Sequence, residues 1–454
     1  MLVQMGLYRP SFYAPTPLRA SAAPARRLPE DTVTLEGGAP PPSLSRGAPL
    51  ARRSRPAVPT TLCELDPSPA TPGYRPEIVR VTPGDDHTIH DLEGYLRDNL
   101  GEETLVIART GREPVLVAVG EGQETADRLV AAGWRMGDAV DKAVGFHRVN
   151  RAVSPEGVPS LVVWRVNGDD RVLHIQSLLK LAGLPADRLT TTGTTRSFQD
   201  DFLRTFRQHG KPDLVVYGMA KTAAAAILKE HPLRNAGYLL DVFRRRGAPK
   251  VEDDSRRDLS GLKMEVMKLA SGQTVWFVPP LYGDLTRDVV DALVEHGAPV
   301  VHFLGTCGAP NPELRVGDIV TPSTLVTPDG KRESLSWLAP TKGARPGATC
   351  MRVSTPNIET RQWAEQAARD GVDFIEVELA YWLEALKNRP DIRFRVQAVV
   401  SDVLLGPNSR DMTRWSWQDG ASSHGQIVES LQDALGIAEK SGLRVKSYEA
   451  VPLV

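Results

Sequence analysis

From about residue 104 onward, apolar residues come in short runs divided by glycine or polar turns, and their spacing predicts the elements. Thr104-Leu105-Val106-Ile107-Ala108 and Val115-Leu116-Val117-Ala118-Val119 are β-rich runs on either side of the turn Thr110-Gly111-Arg112. A helix is predicted near 124–132, a strand over 161–166, and helices over 175–181 and 200–206. Leu214-Val215-Val216-Tyr217-Gly218 is an apolar run ending in glycine, ahead of the alanine-rich helix Lys221–Lys229. Thr274–Val278 is another such run. It leads through Tyr282-Gly283-Asp284 into a helix with apolar positions at Leu285, Val289, Ala292 and Leu293 and a glycine stop at Gly297. A buried-type strand follows at 300–304. Beyond it come a helix over 358–369, a strand over 372–377, a helix over 379–387, a strand over 394–400 and a last helix over 427–438. Continuous apolar runs alternating with helices predict an α/β fold, with a mixed, largely parallel sheet covered by helices on both faces.

Composition changes this picture at the amino terminus. Fifteen of the 36 prolines fall in residues 1–80, among Ser, Ala, Gly and Arg, and runs such as Pro40-Pro41-Pro42 oppose helix and ladder alike. The chain therefore divides into a disordered Pro/Arg-rich tail (1–80), a smaller α/β region (81–211) and a larger α/β domain (212–454). No acid precedes Glu30, so the first residues resemble an organelle transit peptide in composition, with a plain solvated tail or leader as the alternative. The tail holds ten arginines against six acids, which leaves 45 bases and 50 acids for 81–454. That acidic balance excludes a dedicated nucleic-acid binder. Cys63, Cys307 and Cys350 are too scattered for a disulfide framework or a zinc site, and they fit a reducing, cytoplasmic setting. No apolar run reaches the roughly 20 residues of a membrane helix.

Ligands in such sheets bind beyond the carboxyl ends of strands, and reading those ends gives the candidate chemistry. Strand 300–304 runs into Gly305-Thr306-Cys307-Gly308, strand 372–377 into Glu376-Val377-Glu378, and strand 394–400 into Ser401-Asp402. These are a hydroxyl between glycines and two sets of carboxylates; glycine turns and helix-capping acids are the plain alternative. His87 and His90, without a third ligand, read as surface histidines, and no metal site is predicted. Pro83-Gly84-Asp85-Asp86 reads as an ordinary turn. Cys307 as a nucleophile lacks an identifiable base. Arg410, Arg414, Trp415 and Trp417 are candidates for ligand contact, or plain surface residues.

Gly305-Thr306-Cys307-Gly308-Ala309 with Val316-Gly317-Asp318-Ile319-Val320, then Glu376-Val377-Glu378, then Val400-Ser401-Asp402, resemble in order and separation the motifs of the nucleoside phosphorylase and nucleosidase superfamily. The likeness covers roughly 212–454, with Val377 where the family has Met. It implies cleavage of the N-glycosidic bond of a purine nucleoside or a 5′-modified adenosine. In that reading Asp402 is the acid at the leaving base, with Ser401 beside it and Arg414 in the following loop. Glu378 holds the ribose, and Glu376 is structural or supports Glu378 from behind. Gly305, Thr306 and Gly308, with Gly218 after the first strand, receive phosphate or water, and Lys221 is a candidate cation. Phe303 stands where phosphorolytic relatives carry arginine, which favours hydrolysis over phosphorolysis. The resemblance implies no cofactor beyond inorganic phosphate as a possible co-substrate, and a homo-oligomer. The alternative is a non-catalytic nucleoside-binding or regulatory module on the same fold.

Overall fold

The computed structural model of this protein describes residues 86–89, 91–140, 147–231, 262–327, 330–410 and 423–453, together with the backbone of 54–57. The remainder of the proline-rich tail, Cys63, His90, Arg414, Trp415 and Trp417 lie outside the described residues. Residues 52–454 form one compact unit, built on two sheets.

The first sheet has six strands: β1 (Ser54–Ala57), β2 (Val115–Val119), β3 (Arg135–Ala139), β4 (Arg148–Val153), β5 (Pro159–Val166) and β6 (Leu189–Arg196), in the order β1-β6-β2-β5-β4-β3. The central strands β6, β2 and β5 run parallel, and β2 is buried along its whole length, as a run apolar on both faces requires. Helices α1 (Leu92–Leu100), α2 (Glu102–Thr110), α3 (Gly122–Ala131) and α4 (Asp169–Leu181) accompany it. Pro56 lies in β1, at the sheet edge, where its missing donor is tolerated.

The run 104–108, expected as a strand, is the body of α2. Thr104, Leu105, Ile107 and Ala108 are buried while Val106 is half exposed, which is a helical rather than an alternating pattern. Glu102 and Glu103 in the first turn and Gly111 in the left-handed region at the end complete the helix signals. Those flanks outweigh the β propensity of three branched residues.

After α5 (Gln199–Gln208) the second sheet begins. Its strands are β7 (Leu214–Gly218), β8 (Lys263–Leu269), β9 (Thr274–Val278), β10 (Val300–Ala309), β11 (Ile319–Val326), β12 (Arg332–Ser334), β13 (Arg345–Arg352), β14 (Phe374–Glu376), β15 (Arg393–Val403) and β16 (Val445–Pro452). Its helices are α6 (Ala220–Lys229), α7 (Leu285–His296), α8 (Arg361–Arg369), α9 (Leu379–Leu386) and α10 (His424–Leu435). Strands β9, β7, β10 and β15 are parallel neighbours. Beyond them β10, β15, β11, β13 and β14 pair in a closed ring, a small barrel filled by Cys307, Cys350, Phe374, Val396 and Val400. On the other flank, Phe198, Phe202 and Phe206 at α5 pack on Trp276, with the Phe206 and Trp276 rings 5.3 Å apart.

Several expected boundaries differ, two of them with a plain cause. The strand expected over 300–304 continues to Ala309, because β15 pairs with it through that whole length. The helix expected over 358–369 is a short 3-10 turn, Pro356–Ile358, followed by α8, whose start Thr360 caps by accepting from the Trp363 amide at 3.2 Å. The two sheets share a core: Val172, Ile175 and Leu178 of α4 are clustered with Met351, Val353, Ile358, Ile375 and Leu404. That seam brings α4 onto the barrel end where the candidate residues lie.

Candidate active site

Glu376 closes β14 and Glu378 stands just before α9, so the strand-to-helix turn fixes both. The Glu376 carboxylate accepts from the Glu378 amide at 2.6 Å and from the Leu379 amide, which caps the start of α9. Glu378 Oε1 accepts from the Gly283 amide at 3.2 Å. Burial, then the charge of Glu378, pushes the Glu376 carboxyl well above the ordinary range. Burial also raises Glu378, against its hydrogen bond with Glu376. Two carboxyls this close in a dry site share one proton and carry one negative charge between them.

Asp402 and Ser401 lie on β15, which is separated from β14 by β10. Ser401 Oγ donates to Asp402 Oδ1 at 2.6 Å, and its geometry also reaches the Cys307 carbonyl at 3.2 Å. A ladder irregularity between Cys307 and Gly308 sets Gly308 opposite Asp402. A side chain at Gly308 would meet Asp402 Oδ2 at 2.9 Å, so glycine there makes room for the carboxyl. Cys307 sits between the two acid sets. Its thiol is pushed well above its usual value by burial first, then by the charges of Asp402, Cys350 and Glu376. A buried thiol held neutral is no nucleophile.

Gly305 approaches Glu376, and Gly218 packs against the backbone of Leu304 and Gly305. A side chain at Gly305 would strike the Phe303 ring and lie 3.5 Å from Glu376 Oε1. At Gly218 it would lie 2.3 Å from the Leu304 carbonyl, in a backbone with φ of +107°. Close strand packing thus accounts for both glycines. Gly305, Thr306 and Gly308 belong to the β10 ladder rather than to an open loop. Thr306 is exposed, as is Lys221, while Phe303 is buried against Tyr217 with rings 6.0 Å apart. Arg410 bridges back to Val403 through backbone pairing.

Two further groups join Asp402 that the motif pattern does not mark. Glu359, between the 3-10 turn and Thr360, is 2% exposed. Burial and then the charge of Asp402 push its carboxyl well above the ordinary range. Tyr95 of α1 donates to Asn357 Oδ1 at 3.1 Å. Burial raises its hydroxyl first, then the charge of Glu359, with Arg171 opposing and Asp402 adding. In sequence Glu359 looks like one more acid at a helix start, and Tyr95 lies far outside the resembling segment; neither carries a signal that spacing would find. His87, expected on the surface, is buried: its Nδ1 accepts from the Ile89 amide at 3.1 Å and its Nε2 donates to the Asn357 carbonyl at 3.0 Å. Among the described residues no cluster of His, Cys, Asp and Glu is arranged to hold a metal ion, and no helix is long and apolar enough to cross a membrane.

No family model and no curated protein sequence matches the chain. Among solved structures, a purine nucleoside phosphorylase from Schistosoma in complex with hypoxanthine is similar at 9% identity and a TM-score of 0.33, over 53% of this chain and 96% of that one. Isoform 2 of the Schistosoma mansoni enzyme, with cytosine and ribose-1-phosphate, gives 8% identity and a TM-score of 0.34, over 53% and 95%. The Schistosoma mansoni methylthioadenosine phosphorylase with adenine gives 12% identity and a TM-score of 0.31, over 37% and 77%. Likenesses this loose carry no weight on activity, which rests on the residues themselves.

Proposed function

We propose that this protein cleaves the N-glycosidic bond of a purine nucleoside or a 5′-modified adenosine, with water favoured over phosphate as the nucleophile. The observation that carries the reading is the gathering of two buried carboxyl pairs, Glu376 with Glu378 and Glu359 with Asp402, on either side of Cys307. Glycosidic cleavage needs a proton for the departing base and negative charge beside a cation-like sugar. Burial and the charge of Asp402 hold a proton on Glu359, and Asp402 passes that proton to N7 as the bond to C1′ breaks. The single negative charge on Glu376 and Glu378 faces the ribosyl centre, and Glu378 accepts from the sugar hydroxyls. Water adds its oxygen to C1′ and releases one proton, which restores the acid pair. Phe303 in place of an arginine supports water, since a phosphate dianion needs a placed cation.

The same Phe303 also favours the second reading, a nucleoside-binding or regulatory module without turnover. Incubation with adenosine, inosine, guanosine and methylthioadenosine, with and without phosphate, separates the two. Base release that needs no phosphate is expected, and Asp402→Asn should lower it at least about a hundredfold while the protein stays folded. Release only with phosphate sinks the hydrolytic assignment. Wild-type activity in Asp402→Asn sinks that of the acid. No release, with a ligand-induced thermal shift retained, establishes the binding module.

A further inference from the structure

Two contacts seat the half-buried Glu378. Its Oε1 accepts from the Gly283 amide at 3.2 Å, and its backbone carbonyl accepts from the Tyr381 amide of α9 at 3.2 Å. One residue from the smaller α/β region, Asp170 in the first turn of α4, meets both sides of this seat. Asp170 Oδ2 accepts from the Tyr381 hydroxyl at 2.6 Å. Its main-chain amide donates to Asp284 Oδ1 at 3.2 Å. Between these bonds its side chain lies directly on Gly283, where an added Cβ would come within 2.4 Å of the Asp170 Cβ and 2.6 Å of its Oδ2.

The approach is as close from the other direction. A Cβ on Gly168, just ahead of α4, would lie 2.7 Å from Asp284 Oδ1, so each side of the joint needs a glycine. Asp170 is 4% exposed and Tyr381 5%. Arg352 brings the opposing charge: its guanidinium donates to the Tyr381 hydroxyl and stands 3.7 Å from Asp170 Oδ2. Arg352, Tyr381 and Asp170 thus form a chain of donors that ends on α4. Apolar side chains would hold two packed regions together at less cost than a buried acid and its cation. What the carboxyl adds is direction, since its bonds fix the groups around Glu378 at set positions.

Resting on the nucleoside reading above, in which Glu378 accepts from the sugar hydroxyls, we infer that Asp170 is a positioning residue for Glu378, through which the smaller α/β region completes the ribose site. Asp170 touches no substrate. It backs the Gly283 turn on one side of Glu378 and the helix that follows Glu378 on the other. Without its carboxyl each side keeps its own bond to Glu378 but loses the piece that sets the two against each other. A carboxylate displaced by about 1 Å pairs poorly with the 2′ and 3′ hydroxyls.

The test is base release by the full chain from inosine or adenosine and from the matching 2′,3′-dideoxynucleoside, which lacks the hydroxyls that Glu378 would hold. Asp170→Ala should lower kcat/KM for the ribonucleoside roughly ten- to a hundredfold, and that for the dideoxynucleoside by less than about twofold. Tyr381→Phe keeps the ring and removes the hydroxyl between Arg352 and Asp170. It should show the same selectivity with a loss of about fivefold, the worth of one ordinary hydrogen bond. In a Glu378→Gln background neither substitution should lower the rate further. An Asp170→Ala defect equal on the two substrates marks a joint that only holds the fold, and overturns this inference alone. So does a Tyr381→Phe protein that keeps wild-type rates. Base release from neither substrate by the wild type overturns the nucleoside reading and this inference with it.

Discussion

His302 offers a quantitative check on the strand pair that carries the candidate site. It is fully buried on β10, with Nε2 3.0 Å from Gln397 Oε1 on β15 and Nδ1 without a partner. Burial lowers it to about 4, with Arg395 adding to the shift and Gln397 opposing it. A histidine depressed in the fold binds fewer protons than its unfolded counterpart, so its contribution is whole above the ordinary value of 6.5 and is lost as pH falls. At about 1.4 kcal/mol per pH unit, His302 costs the protein about 2 kcal/mol by pH 5 and about 3 kcal/mol below pH 4. His302→Leu should be less stable by about 1–2 kcal/mol at pH 7.5, where Gln397 loses its partner. At pH 5 the deficit should vanish or reverse, since leucine does not titrate. Urea unfolding of both proteins at the two pH values measures the double difference, in which other titrating groups cancel. A stability gap that stays within about 0.5 kcal/mol between pH 7.5 and pH 5 would refute the reasoning.

Further expectations test the packing that shapes the site. Gly218→Ala should destabilise by about 1–3 kcal/mol or more, because the backbone is left-handed there and the new methyl meets the Leu304 carbonyl; a thermal-melt difference below that range would mean the strands yield. In a Cys63→Ser background the native protein should resist thiol alkylation at Cys307 and Cys350, both buried and pushed well above ordinary thiol values. Rapid labelling before unfolding would show an open path to the barrel interior.

Much of the fold was legible in the sequence because its central strands are buried on both faces. Runs such as Leu214–Tyr217 and Thr274–Val278 have no amphipathic ambiguity, and the glycine after α7 stops that helix through its own φ of +80°. The order of the three strand-end motifs was legible for a similar reason: each follows a recognisable strand. Where local signals competed the reading failed. In α2, branched residues favour a strand, yet the capping glycine and terminal charges win. In β10, glycines that look like a loop remain in a ladder because β15 runs beside them.

What the tertiary structure alone decided is which side chains come together. Sequence spacing placed Asp402 at a strand end and Glu378 at a turn, but a strand's own sequence does not say which neighbour faces its acid. The barrel closure puts Cys307 between the two carboxyl sets. The seam with α4 brings Tyr95 into one core cluster with Leu404, two residues beyond Asp402, from 307 positions before Asp402 (402 less 95). Chain order fixes local conformation through short-range sterics and burial period. Proximity across hundreds of residues is fixed by which apolar faces bury one another, and only the folded core determines that.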